Sequence, residues 1–259
     1  MERGHAVDLD TARELVRGGR VLVDGAPALS SARAVAADEQ VVLVEERRFV
    51  GRGGVKLDAA LDRFAIGVVG ALALDVGAST GGFTDCLLQR GAARVLAVDV
   101  GHGQLHERLL DDARVVSLER TNLRDVRAPV VEAALGGPPT VVTMDVSFTS
   151  VVPHAGAAVG LAASGASLLI LVKPQFEVDH ETASRGRGVV TDAASWRSVL
   201  AACASAIEDA GAGIMGAMPS PILGASGNVE FFLHARATGS SVVPLDALLD
   251  AAVAEAEQP

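Results

Sequence analysis

The stretch Leu74-Asp75-Val76-Gly77-Ala78-Ser79-Thr80-Gly81-Gly82-Phe83-Thr84 decides the fold. An apolar run ends on an acid, passes through closely spaced glycines and resumes with helical spacing from Phe83 to Gln89, which reads as strand, tight turn and helix. Glycines at such a turn let backbone approach a ligand and leave amides free at the helix start. The order is Asp-x-Gly-x-x-x-Gly-Gly, not the Gly-x-Gly-x-x-Gly of dinucleotide sites. The acid Asp75 repels a pyrophosphate and suits the ammonium of an amino-acid-bearing cofactor. Asp99, 24 residues on and at the end of the next strand, is placed to accept both hydroxyls of a ribose. Together the two acids favour S-adenosylmethionine over a nicotinamide dinucleotide. A glycine-rich turn also serves simple packing, but two acids at matched strand ends argue for a ligand.

Outward from this turn, strands alternate with helices. Strands are expected at 71–75, 94–99, 115–118, 140–144, 167–172, 214–218 and 229–234, and helices at 83–89, 105–110, 130–135, 151–162, 193–210 and 245–256. That rhythm predicts an α/β fold with a doubly wound, mainly parallel, Rossmann-like sheet. The last two strands are joined without a helix, so they are expected to pair antiparallel at one edge, as in class I methyltransferases. Upstream, 9–18 reads as a short amphipathic helix and 20–23 and 41–44 as strands, the first running into an Asp24-Gly25 turn. The division is a small α+β domain over 1–46, a Gly/Arg-rich linker over 47–54, and the main domain over 55–259.

Composition narrows the partners. No apolar run approaches the roughly 18 to 20 residues of a membrane span, and the first residues lack the apolar core of a secretory signal, so a cytoplasmic address is expected. Cys86 and Cys203 stand apart with no metal-binding spacing and are read as buried fillers. The net charge of −10 disfavours a general affinity for nucleic acid. Residues 1–56 are nevertheless neutral, with nine basic and nine acidic residues, so any grip on RNA is local. Of 22 basic residues only Lys56 and Lys173 are lysines. A lysine, unlike an arginine, can lose its proton when buried and act as a base.

Lys56 precedes the first strand of the main domain, Asp145 and Lys173 end two later strands, and Glu230 opens the last. Ligands of open α/β sheets sit beyond the carboxyl ends of the strands, so Asp145 and Lys173 face the same mouth as Asp75 and Asp99. Methyl transfer to a ribose hydroxyl needs a proton acceptor, a role open to a desolvated lysine flanked by carboxylates. Each residue also has a plainer reading: Asp145 as a helix cap, Lys56 as a solvated helix residue, Glu230 as an exposed strand residue.

The segments GRGGVKLDAAL (51–61), ALDVGASTGGFTDCLLQRGAARVLAVDVGHGQL (73–105), MDVSFTS (144–150), LVKPQFE (171–177), RGRGVV (185–190) and GNVEFF (227–232) resemble the TlyA, or hemolysin A-type, ribosomal RNA 2′-O-methyltransferases, whose catalytic domain is FtsJ-like. The resemblance implies a catalytic tetrad of Lys56, Asp145, Lys173 and Glu230, with Lys173 the base. It implies S-adenosylmethionine binding by Asp75, Gly77, Ser79, Gly81, Gly82, Phe83, Asp99 and Asn122. It also implies ribosomal RNA or ribosomal subunits as partner, and an N-terminal RNA-binding domain of the ribosomal-protein S-four type. The core of that domain is similar to DTARELVRGGRVLVDGAPA (10–28), although the family's domain begins with a further helix not matched here. Arg13, Arg17 and Arg20 are its expected phosphate contacts, and Arg185 and Arg187 are read as a second RNA clamp.

His102 and His106 share helical i, i+4 spacing but lack the intervening Glu and a third ligand, so no metal is expected. Met144 and Phe148 read as core or pocket lining. The rival functions are a small-molecule methyltransferase and a membrane-active hemolysin; no basic amphipathic helix or long apolar segment supports lysis.

Overall fold

In the computed structural model, which describes residues 4–17, 20–28, 30–36, 38–44, 48–179, 186–241 and 244–258, the chain divides into two units, residues 1–48 and 49–259. In the first, helix α1 (Leu9–Arg17) is capped by Asp8, whose carboxylate accepts from the Thr11 amide at 2.7 Å. Strands β1 (Val21–Val23), β2 (Ala26–Pro27) and β3 (Val41–Leu43) form an antiparallel sheet in the order β2-β1-β3. Asp24 and Gly25 both have positive φ, 49° and 77°, as a two-residue hairpin turn requires.

The second unit is built on β4 (Leu72–Val76), β5 (Arg94–Val98), β6 (Val115–Leu118), β7 (Val141–Met144), β8 (Ser167–Val172), β9 (Ala212–Pro219) and β10 (Phe231–Ala237), in the order β6-β5-β4-β7-β8-β10-β9. The β4, β5, β6, β7 and β8 pairings are parallel, and β10 runs antiparallel to both β8 and β9. Continuous apolar runs are sorted by the two-residue period of a strand. Leu168, Ile170 and Val172 of β8 enter one core, while Leu169 and Leu171 enter the other. Helices α2 (Gly53–Arg63) and α3 (Gly82–Gln89) cover the second core through Leu57, Leu61 and Leu87. Helices α5 (Ala128–Leu135), α6 (Val152–Leu161), α8 (Ala193–Asp209) and α9 (Leu245–Ala256) cover the first. Cys86 and Cys203 are buried, one in each core. Two short helices, α4 (Glu107–Leu110) and α7 (Pro174–Glu177), follow β5 and β8.

Two local expectations are corrected. Residues 49–54, read as linker, belong to the second unit: Phe49 is buried, and Gly53 and Gly54 start α2. A Cβ on Gly54 would come within 2.3 Å of the Phe49 ring, so this glycine serves a close approach and not flexibility. His102 and His106 do not share a helix. His106 caps α4, accepting from the Arg108 amide at 3.2 Å, while His102 lies in the preceding loop, its Nδ1 2.7 Å from Glu119.

Candidate active site

The chain adds β5 and β6 on one side of β4 and β7 and β8 on the other, so the order reverses between β4 and β7. Turns leaving the two strands diverge there and open a crevice. A cavity of about 550 Å³ occupies it, walled by Gly77, Ser79, Asp99, Asn122, Asp145 and Ser147 among others. Gly77 is required at the turn: its φ is 79°, and a Cβ would sit 2.5 Å from the Asp145 carbonyl oxygen. The Asp99 carboxylate accepts from the Ser79 amide at 2.7 Å and the Gly101 amide at 2.6 Å. Those bonds fix its direction and leave lone pairs for a ligand's hydroxyls. Asn122 also lines the cavity, its side-chain oxygen accepting from the Arg124 amide at 3.0 Å.

Four of the eight expected cofactor residues, Gly77, Ser79, Asp99 and Asn122, line the cavity, and the other four do not. Asp75 is the clearest correction. Direct pairing with a bound ammonium needs its carboxylate at the cavity surface, but it is fully buried and accepts from Thr84 at 2.6 Å and Thr143 at 2.9 Å. Burial pushes this carboxyl up to about 6, against the two threonine hydrogen bonds and with the Asp145 charge. Asp75 therefore acts as a pillar between β4, α3 and β7. Gly81 has φ 95° and caps α3, Gly82 backs onto Gly53 and Gly54, and Phe83 packs on Phe232 with ring centroids 6.0 Å apart.

The structure brings Lys56, Asp145, Lys173 and Glu230 to the carboxyl ends of the strands. Lys56 projects from α2 into an ion pair with Glu230, and both side chains are buried. Lys173 follows β8, pairs with Asp145 at 2.5 Å and donates to the Ser147 hydroxyl at 2.7 Å. Phe231 is registered with Val172 across the antiparallel β8–β10 pair, so one further step sets Glu230 opposite Lys173. Asp145 leaves β7 beside Val76, its amide bonded to the Val76 carbonyl at 2.8 Å. Neither plain reading survives for Lys56 or Glu230: the lysine is not solvated, and the glutamate is not exposed. Ionised side chains are buried only when paired, because an unpaired charge loses its hydration without compensation.

Sequence reasoning missed several cavity residues. Ser147 follows Asp145 by two and lies inside the MDVSFTS segment, where no role was expected of it. Phe148, expected as core or lining, does line the cavity but is 91% exposed, with φ 61° and its ring 5.2 Å from Phe176. Met144 is fully buried. His154 also lines the cavity, its Nδ1 3.0 Å from the Ser150 carbonyl oxygen, which fixes that nitrogen as the donor.

Of the expected RNA contacts, Arg13 is exposed and pairs with Asp10 at 3.3 Å, and Arg20 donates to the Val44 carbonyl at 3.3 Å. The Arg17 side chain and Arg185 lie outside the described residues. Arg187 sits in a turn docked by Asn228, which donates to the Gly188 carbonyl at 2.9 Å and accepts from the Val190 amide at 3.0 Å. Among the described residues no group of three or more His, Cys, Asp or Glu is arranged to hold a metal, and no helix is long and apolar enough to cross a membrane.

Comparison with known proteins places this geometry. Residues 49–237 match the family of FtsJ-like methyltransferases. The 16S/23S rRNA (cytidine-2′-O)-methyltransferase TlyA of Mycobacterium tuberculosis is 44% identical over 97% of this chain and 92% of its own. Hemolysin A of Brachyspira hyodysenteriae is 36% identical over 89% of this chain and 95% of its own. A solved structure from Streptococcus thermophilus, described as a hemolysin, superposes with a TM-score of 0.75 at 34% identity, covering 99% of this chain and 94% of its own. An S-adenosylmethionine-dependent methyltransferase structure from Listeria monocytogenes shares the fold alone, with a TM-score of 0.53 at 13% identity over 72% of this chain and 99% of its own.

Proposed function

The chain belongs to the FtsJ-like methyltransferase family, and from that premise we propose that it methylates ribose 2′-hydroxyls of ribosomal RNA with S-adenosylmethionine as donor. The observation that carries the reading is the pair of ion pairs, Lys56–Glu230 and Lys173–Asp145, gathered at the end of the sheet where the Asp99 cavity opens. The name of the Mycobacterium tuberculosis relative supports the substrate class.

The residues fit the donor. A volume of about 550 Å³ lies within the usual range for small-ligand sites. Asp99, held by two amides, is a hydrogen-bond acceptor for a ribose, and Asn122 adds a polar contact in the cavity lining. When bound, S-adenosylmethionine supplies an electrophilic methyl group on sulfur. The chain does the remainder. Lys173 in its amine form accepts the proton of the acceptor hydroxyl, and Asp145 holds the ammonium that results. Lys56 and Glu230 brace the other side of the mouth and orient the acceptor ribose.

An RNA acceptor also accounts for the exposed Phe148 ring at the cavity mouth, a stacking surface for a base. Arg185 and Arg187 serve as phosphate contacts. Arg13, Arg17 and Arg20 do so from the N-terminal unit, which serves as an RNA-binding domain of the S-four type. With a net charge of −10, these local contacts supply the grip. The protein works in the cytoplasm, where ribosomal RNA is.

The test is transfer of labelled methyl from S-adenosylmethionine to unmodified ribosomal subunits and naked ribosomal RNA, followed by mapping of the modified nucleotide. A mapped 2′-O-methyl ribose is the expected result. Label confined to a base, or incorporated only into small molecules, overturns the reading.

A further inference from the structure

Among the described residues, the cavity wall holds Asp145 and Ser147 but not Lys173. The Lys173 side chain is only 9% exposed and lies behind that wall, whereas Ser147 is exposed. Ser147, its hydroxyl 2.7 Å from Lys173 Nζ, and Asp145, paired with the same Nζ at 2.5 Å, both line the cavity and touch the base, and of the two it is Ser147 that carries a hydroxyl. A hydroxyl can donate one hydrogen and accept others at once, which suits it to hand a proton on. From this arrangement we infer that Ser147 is a catalytic residue that relays the acceptor's proton to Lys173. The inference rests on the reading of Lys173 as the base.

The step balances. As the acceptor O–H bond breaks, its proton passes to Ser147 Oγ, and the proton already on Oγ passes to the lone pair of the Lys173 amine. Lys173 ends as an ammonium beside Asp145, with which it already pairs at 2.5 Å. The electron pair freed on the acceptor oxygen forms the new carbon–oxygen bond while the carbon–sulfur bond of the donor breaks. Ser147 finishes as a neutral hydroxyl, so no other reactant is consumed. The same 2.7 Å contact serves both states of the base: an ammonium donates to Oγ, and an amine accepts from it. The distance lies inside the reach required of a group that moves a proton, roughly 2.6–3.2 Å. Asp145, two residues before Ser147, holds Nζ as well, at 2.5 Å.

The chain has only two lysines, so protein labelled with ¹⁵N-lysine gives two Nζ signals, assigned by Lys173→Arg. In the full-length protein, Ser147→Ala should displace the Lys173 signal and leave that of Lys56 in place. It should also lower kcat by about 100-fold or more, the lower end of what a proton-transfer group contributes. The KM for RNA and the Kd for S-adenosylmethionine should stay within about twofold, in the range of an unperturbed surface site. Ser147→Thr, which keeps the hydroxyl at an exposed position, should retain most of kcat. Three results overturn the relay while Lys173→Ala remains inactive and the base assignment stands: an unmoved Lys173 signal, full turnover by Ser147→Ala, or Ser147→Thr as inactive as Ser147→Ala. Native turnover by Lys173→Ala instead removes the base itself, and the relay with it.

Discussion

Lys56 and Glu230, 174 residues apart in the chain, meet as a buried ion pair between the first turn of α2 and the start of β10. Gly224 leaves the room for it, since a Cβ there would come within 2.0 Å of a Glu230 carboxylate oxygen. Removing one partner strands the other charge in the interior. Glu230→Ala should therefore cost about 3–5 kcal/mol in denaturant unfolding and abolish methyl transfer. The double variant Lys56→Met/Glu230→Leu should regain most of the stability and none of the activity. A double variant as unstable as the single one would show that the pair matters for something other than the stranded charge.

Asp99 tests the donor site separately. Its carboxylate is already oriented by the amides of Ser79 and Gly101, so Asp99→Ala removes a ligand contact and two internal acceptors together. Hydrogen bonds to a charged group contribute about 1.5–3 kcal/mol each. Calorimetric binding of S-adenosylmethionine should weaken by roughly one to two orders of magnitude, because each 1.4 kcal/mol is tenfold. Unchanged affinity would move the donor out of this cavity.

The buried Asp75 gives a pH signature. Its folded value of about 6 stands above its ordinary 3.8, so the folded protein holds the proton more tightly than the unfolded chain does. The contribution is fully present below pH 3.8 and is lost as pH rises through 6. At about 1.4 kcal/mol per pH unit, the change is on the order of 3 kcal/mol. His234 runs the other way: burial lowers it to about 4 from 6.5, so its contribution is present above pH 6.5 and lost as pH falls through 4. Asp75→Asn can still bond Thr84 and Thr143, whose hydroxyls donate or accept. The difference in stability between native and Asp75→Asn protein, measured from pH 4 to 7.5, should shift in favour of the variant as pH rises. Parallel curves would mean that Asp75 is charged at little cost.

These cases mark what was legible in the sequence. The alternation of strands and helices, the antiparallel end of the sheet and Asp99 at the crevice were readable because strand period, glycine placement and strand-end acids are local signals. Asp75 was not, since an acid at a strand end faces either a ligand or the interior, and the two threonines that settle it lie 9 and 68 residues away. Gly53 and Gly54 looked like linker because glycine marks both flexibility and close contact, and only the buried Phe49 ring distinguishes them. Ser147 stands in the MDVSFTS segment, but its contact with Lys173 was not readable for a similar reason: the lysine reaches it from the neighbouring strand.

Phe148 offers the last test, and it bears on the acceptor alone. A phenylalanine 91% exposed, at φ 61°, is held where neither burial nor an ordinary backbone preference would put it. Phe148 lines the cavity, and its ring packs on Phe176 with centroids 5.2 Å apart. A base stacked on an aromatic side chain contributes about 1–3 kcal/mol. Phe148→Ala should accordingly raise the KM for RNA by roughly 5- to 150-fold on that scale, while the Kd for S-adenosylmethionine holds. Alanine keeps the Cβ and with it the cost of the positive φ, and the ring it removes is exposed, so thermal unfolding should change little. Phe148→Tyr, which keeps the ring, should restore RNA affinity. If alanine and tyrosine weaken RNA equally, the ring is not a stacking surface; if alanine weakens the donor instead, Phe148 belongs to the cofactor wall.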